Sequence, residues 1–237
     1  MGVVFIAAHQ GLGDHIVCNA IYRNYASRAR ICLIPCTTHY YSQVREMLGD
    51  VKNVVLIPIF SNYTFFQTRW LIRIMQFIRI RVIRLGYFGT DFKNDGKFTD
   101  QSFYEQAQID WHIRWQDFYI PYNLDKAASL FTKLGLSGSK YILVHDDESR
   151  GMKIRKEYLN NQYSVVRLQH RPGYHIFDYI KVIEEAVEIH CIESSFAHFI
   201  DSLSVGPNSL FLHTYARPTV REKKSNQITY KRKWNII

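Results

Sequence analysis

The sequence predicts an α/β chain made of two small Rossmann-like βαβ domains facing each other across a cleft. Three observations point there. Short apolar runs alternate with helix-length runs from the N-terminus to Pro58, the pattern of a parallel sheet covered by helices. The same alternation resumes after Tyr122-Asn123 and continues to His213. A length of 237 residues, 47% of them hydrophobic, is enough for one large core or two small ones. The expected boundary divides an N-terminal domain, 1–122, from a C-terminal one, 123–237.

Val3 to Ala8 is an apolar strand that runs into Gly11-Leu12-Gly13-Asp14 and a helix from Asp14 to Arg28. Strand Arg30 to Pro35, helix Thr38 to Leu48 and strand Asn53 to Pro58 follow. Thr64 to Phe88 reads as a helix and then a strand, Arg81 to Tyr87, because β-branched residues accumulate late in it. An aromatic-rich helix, Phe103 to Tyr119, ends at Pro121. The second series opens with helix Asp125 to Leu134, stopped by Gly135, and the strong strand Tyr141 to His145. Strand Val165 to Gln169, helix Ile176 to Ala186, strand Glu188 to Ile192, helix Ser194 to Leu203 and strand Leu210 to His213 complete it. The basic tail, Arg221 to Lys233, either closes the fold or lies outside it.

Thirty Lys+Arg against twenty-one Asp+Glu give a net charge of +9, which favours an anionic partner: nucleotide phosphate, phospholipid, acidic glycan or nucleic acid. Cys18, Cys32, Cys36 and Cys191 lack CxxC spacing and sit in or beside apolar segments, so a reduced, cytoplasmic protein is expected. The opening strand is too short for a signal-peptide core. Arg73, Arg79, Arg81 and Arg84 interrupt the longest apolar stretch, so no span of a bilayer is expected.

Asp14 sits where the first strand of such a sheet ends, facing the crevice that binds ligands; equally, it caps a helix on a glycine turn formed by Gly11 and Gly13. Glu193-Ser194-Ser195 are delivered by an apolar strand onto a helix start, where free amides, hydroxyls and the positive dipole end suit a phosphate. His198, one turn on, reaches the same anion; an ordinary serine cap with a flanking histidine accounts for the pattern too. Asp146-Asp147 either bind a divalent cation or form an ion-paired loop with the cations beside them. His9, His15 and His145 lie at or beside the expected cleft; His9 or His15 either replaces or assists Asp14 as base, and each of the three is otherwise a plain polar residue at a strand end or helix cap.

Gly11-Leu12-Gly13-Asp14 paired with Glu193-Ser194-Ser195-Phe196-Ala197-His198 resembles the heptosyltransferase-like glycosyltransferases of the GT-B architecture. The resemblance is short and lies at the two ends of the chain; it lacks the family's usual glycine-rich turn in the late motif, and this chain is shorter than is usual there. It implies an acceptor-side first domain, a nucleotide-sugar donor domain second, and transfer with inversion that requires no metal or other cofactor. It also implies Asp14 as base on the acceptor hydroxyl, Ser194, Ser195 and His198 on the donor diphosphate, and Glu193 on the ribose; His15 joins Asp14 as a catalytic candidate on its position alone. Inverting transfer needs both a base and a cationic cradle for the leaving diphosphate. Arg150, Lys153 and Arg155, in the loop leaving the strongest strand of the second half, are the candidate cations.

Asp110, His112 and Arg114 stand among Trp111, Trp115 and Tyr119, a composition suited to sugar hydroxyls and ring faces, and join His9 as candidate acceptor contacts; helix packing between domains accounts for the cluster too, above all for Trp111 and Trp115, four apart on one face. Arg69 to Arg79 forms a basic amphipathic helix that packs on the sheet or lies on an anionic membrane. The partners expected are a nucleotide sugar and a glycan or lipid-linked acceptor, with peripheral membrane contact left open and no nucleic acid. Two rivals stand beside this. One is a nucleotide-sugar epimerase or hydrolase of the same fold; the other is a non-enzymatic basic module binding nucleic acid or a membrane surface, without an RNA-binding signature to support it.

Overall fold

The computed structural model describes residues 2–86, 99–147, 151–207, 209–215 and 228–237. The chain forms two compact units, Met1–Pro121 with Lys223–Thr229, and Tyr122–Glu222 with Tyr230–Ile237.

The first unit is built on a parallel sheet of β1 (Val3–Ala7), β2 (Ile31–Thr37), β3 (Val54–Ile59) and β4 (Arg81–Arg84), in the order β3-β2-β1-β4. β1 lies at the centre and is buried from Val4 to Ala7, as its unbroken apolar run requires of a strand covered on both faces. Pro35 lies in β2 beyond Leu33, the last β2 residue paired with β1, and Pro58 lies in the edge strand β3, so neither breaks a two-sided ladder. The single helix expected from Asp14 to Arg28 divides at Cys18 into α1 (Leu12–Val17) and α2 (Asn19–Ala26). α3 (Tyr41–Met47) and α4 (Thr64–Phe77) follow, the latter laying Ile72, Leu71 and Met75 against Phe5, Ala7 and Ile57 of the sheet.

The aromatic-rich stretch expected as one helix is instead α5 (Thr99–Gln106) and the short α6 (Ile113–Gln116). The break comes at Gln108, which takes a left-handed φ of 55°, a conformation that ends a helix. Tyr104 and Tyr25 then donate hydroxyl hydrogen bonds to the carbonyls of Val17 and Ala107, tying α5 to α1 and α2. Asp100 is the polar centre of this packing. Fully buried, it pairs with Arg114 at 2.5 Å and accepts from the Trp111 indole and from the Thr229 amide and hydroxyl.

In the second unit, α7 (Leu124–Lys133) starts on an Asn123 cap. The strands β5 (Tyr141–His145), β6 (Ser164–Arg167), β7 (Glu188–Ile192), β8 (Ser209–His213) and β9 (Trp234–Ile236) form a second all-parallel sheet, ordered β6-β5-β7-β8-β9. α8 (Ile180–Glu185) and α9 (Ser195–Ser202) flank β7 in sequence. The end of the basic tail closes this unit. β9 pairs with β8, and buried Asp201 of α9 accepts from the amides of Lys231 and Arg232 and from the Trp234 indole. All four cysteines are free and buried, and burial pushes the Cys32 and Cys36 thiols up to about 12. Among the described residues no helix is long and apolar enough to cross a membrane.

Candidate functional site

In each sheet the chain reverses its direction of growth once. The first sheet proceeds from β1 to β2 and β3 on one side and then adds β4 on the other; the second goes from β5 to β6 and then adds β7 on the opposite side. A crevice opens outside the carboxyl ends of the strands at such a reversal, because the connections leave in opposite directions. Both sequence motifs fall at these points: Gly11 to Asp14 after β1, and Glu193 to Ser195 after β7, beside the end of β5.

In the first unit Asp14 occupies the first turn of α1, a quarter exposed, with its carboxylate 3.7 Å from Nδ1 of His9. Gly11 has φ −75° and ψ 146°, a backbone open to any residue, so the glycine is required for space and not for its conformational freedom. A Cβ there would stand 2.7 Å from Asp14 Oδ2. Gly86, just past β4, is required on both counts: φ is +98°, and a Cβ would meet the His9 ring at 2.3 Å. Its amide donates to Gln106 at 2.7 Å, and Phe103 meets the His9 ring edge to face. Gly13 lies within α1.

His15 departs from the expectation of a helper base. It faces the core, fully buried, with Nδ1 3.0 Å from the Tyr22 hydroxyl, and burial pulls its pKa down to about 4 against the opposing pull of Asp14. Position i+1 on a helix points away from its neighbour. Arg114 departs too: it is buried against Asp100, donates to the Thr229 carbonyl at 2.8 Å and covers Trp115, which makes it architecture and not a contact facing water. Asp110 and His112 are exposed, and Asp110 accepts from the His112 amide at 2.8 Å.

In the second unit Ser194 is the N-cap of α9. Its Oγ accepts from the Ala197 amide at 3.4 Å and lies 3.2 Å from Nδ1 of His145. His145 stacks on Phe196 with ring centroids 4.9 Å apart; burial pulls its pKa down to about 4, against Asp147 and Asp146. A neutral imidazole there fixes the serine rotamer, and the amides of Ser195 and Phe196, which precede the helix's own ladder, are left as the anion donors of this corner. Glu193 and Ser195 are half-buried. His198 lies deeper than expected, buried and stacked on Tyr230 at 5.6 Å.

Asp146 receives the Ile154 amide on one oxygen at 2.7 Å and the Arg167 guanidinium on the other, and Asp147 forms a backbone bridge with Met152. Lys153 and Arg155 are exposed. Arg155 lies 5.0 Å over the Tyr215 ring and pairs with Glu157 at 3.5 Å, while Tyr158 packs on Tyr215. Arg150 falls outside the described residues. Two features escaped the sequence reading. Arg167 was one, unremarked on a short strand. The other is a buried polar chain crossing two strands: Asn160 to Glu188 at 3.3 Å, Glu188 to His190 at 3.4 Å, and His190 to His213 at 3.0 Å. Burial lowers the pKa of both histidines. The alternation of Glu188, His190 and Ile192 on one face of β7 was its available signal.

Comparison with protein-family models gives no match, and neither does comparison with curated proteins. Solved structures do match. One is E. coli ADP-heptose lps heptosyltransferase II, at 12% identity and TM-score 0.54, covering 100% of this chain and 90% of that one. Another is a glycosyl transferase family 9 structure from Veillonella parvula, at 8% identity and TM-score 0.57, covering 99% and 85%. At such identities the likeness is one of fold: an α/β architecture of parallel sheets similar to those of solved glycosyltransferases.

Proposed function

We propose that this chain is a glycosyltransferase of GT-B type that moves a sugar from a nucleotide-diphosphate donor to a hydroxyl acceptor, a glycan or a lipid-linked glycan, with inversion and without a required metal. The supporting observation is that the Asp14 motif and the Ser194 motif each stand at the switch point of a parallel sheet, in a fold similar over its whole length to two solved glycosyltransferases.

Asp14 is assigned as the base that takes the proton from the acceptor hydroxyl. It is partly exposed, and Gly11 and Gly86 keep space open around it and His9. His15 has no part in that step, being sealed in the core. The N-terminal amides of α9, the Ser195 hydroxyl, and Lys153, Arg155 and Arg150 are assigned to the leaving diphosphate, where charge develops in the transition state. Glu193 is assigned to the ribose, and His198 to supporting α9 from below. Asp146 is assigned to holding its loop, since Ile154 and Arg167 already engage both of its oxygens. Asp110, His112 and His9 remain candidates for the acceptor.

The test is Asp14→Asn, assayed for transfer with a panel of nucleotide sugars and oligosaccharide or glycolipid acceptors. Transfer should fall by a factor on the order of 10² to 10⁴ while donor affinity stays within about twofold of the parent. An equally active variant overturns the role of Asp14. Donor turnover of the same rate with and without acceptor would favour the epimerase or hydrolase reading instead.

A further inference from the structure

α4 has two apolar faces, and the sheet uses only one. Ile72, Leu71 and Met75 meet the packing demand of the helix against β1 and β3. The opposite stripe, at i, i+4, i+7 and i+11, is Phe66, Trp70, Arg73 and Phe77. Phe66 is 71% exposed, Trp70 57% and Phe77 87%. Phe60 and Tyr63, just before the helix in sequence, and Ile78, just after it, are exposed as well. A helix that merely roofs a sheet turns its polar side to water; this one turns aromatic rings outward. Large contiguous exposed apolar surface marks an interaction site.

The charge around the patch selects the partner. Between Asp50 and Asp91 the sequence holds no carboxylate, while Lys52, Arg69, Arg73, Arg79, Arg81 and Arg84 fall in the same interval. Arg69, Arg73, Arg79 and Arg81 are exposed. Arg69 lies 5.1 Å over the Phe65 ring. Arg79, directly after the helix, holds a left-handed φ of 60°, a position that glycine fills more comfortably. A second copy of the chain docking symmetrically would set these arginines against themselves with no acid between them. A single convex helix presents no groove to follow a nucleic-acid strand. Aromatic rings flanked by arginines on one helix face are instead the composition that settles into the headgroup and acyl boundary of an anionic bilayer.

We propose that the exposed face of α4, with Phe66, Trp70 and Phe77 inserted and Arg69, Arg73 and Arg79 at headgroup level, docks this protein onto anionic phospholipid membranes. The docking stands on the helix alone and does not rest on the transferase assignment.

Co-sedimentation with phosphatidylcholine vesicles containing about one third phosphatidylglycerol, against pure phosphatidylcholine, tests it. The full chain should bind the anionic vesicles at least about tenfold more tightly and lose most of that preference at roughly 0.5 M salt. Of the four tryptophans, all within the described residues, Trp70 alone is exposed, so vesicles should shift the emission to the blue and Trp70→Phe should remove the shift. Phe66→Gln with Trp70→Gln and Phe77→Gln should weaken binding by about tenfold or more. Arg69→Gln with Arg73→Gln, which leaves the aromatic stripe intact, should reduce the preference for anionic lipid. Absence of vesicle binding overturns the inference. So does binding that neither variant changes, a self-associated dimer dispersed by the triple variant, or displacement from vesicles by single-stranded RNA through this same face.

Discussion

Replacing Gly11 with alanine separates the stability of the first corner from its chemistry. The backbone at Gly11 is extended, at φ −75° and ψ 146°, so alanine adopts it without strain. The new methyl would lie 2.7 Å from Asp14 Oδ2, where ordinary contact begins at 3.4 Å, so the carboxylate must retreat by about 0.7 Å or rotate. It sits at the end of a partly exposed side chain and can do so cheaply. The cost to unfolding free energy is then mainly that of placing alanine at a helix N-cap, about 1 kcal/mol. A catalytic group misplaced by a good fraction of an ångström lowers turnover by about 10- to 100-fold. Urea unfolding and steady-state transfer kinetics on the same preparation read both quantities: kcat should fall while donor KM holds. Full activity in a normally folded variant would refute the placement of Asp14 at the reacting hydroxyl.

Other consequences are quickly checked. Asp100→Asn leaves Arg114 buried without its countercharge, and should cost about 3 to 5 kcal/mol in urea unfolding; a loss under about 1 kcal/mol would contradict the pairing. Arg79→Gly relieves the left-handed φ after α4 and should raise stability by about 0.5 to 1 kcal/mol, read as a higher melting temperature. His15 and His145 titrate near 4 when folded, against 6.5 as the ordinary value. Below about pH 6.5 the unfolded chain takes up protons that the folded chain does not, so their contribution is intact at pH 7 and lost progressively as the pH falls towards 4, by up to ~1.4 kcal/mol per pH unit for each histidine. Stability measured at pH 7 and pH 5 should show the decline, and a flat profile would contradict their burial.

The strands up to β8 were legible because buried parallel strands are written as short apolar runs; their order in the two sheets, β3-β2-β1-β4 and β6-β5-β7-β8-β9, and the last strand in the tail were not. Helix limits were harder to read. Nothing in the apolar spacing from Asp14 to Arg28 marks the break at Cys18, and the left-handed turn at Gln108 uses a residue without glycine's signature. Site residues were legible as types and not as orientations. Asp14 and His15 are neighbours in sequence, yet a helix turns one to the surface and the other into the core. Arg114 looked like a ligand contact because its partner, Asp100, lies fourteen residues away, and the strand-to-strand link from His190 to His213 spans twenty-three. α4 was ambiguous for a different reason: apolar residues occur all round it, and periodicity alone does not distinguish the side that meets the sheet from the side that meets water.

The proposed donor corner depends on backbone amides at the start of α9, and proline substitution interrogates one of them directly. Ser195→Pro removes the first helical N–H at the position where a helix best tolerates proline, and Ser194, at φ −162° and ψ 173°, already has the extended backbone that must precede one. Calorimetric titration with UDP, GDP, ADP and dTDP should find one diphosphate that binds the parent and binds Ser195→Pro about 10- to 100-fold more weakly than Ser195→Ala, which also lacks the hydroxyl but keeps the amide, the worth of one charge-assisted hydrogen bond, at an unchanged melting temperature. Equal affinity of the two variants for that nucleotide, or no nucleotide bound by the folded parent, would contradict the assignment of this corner to a nucleotide-sugar donor.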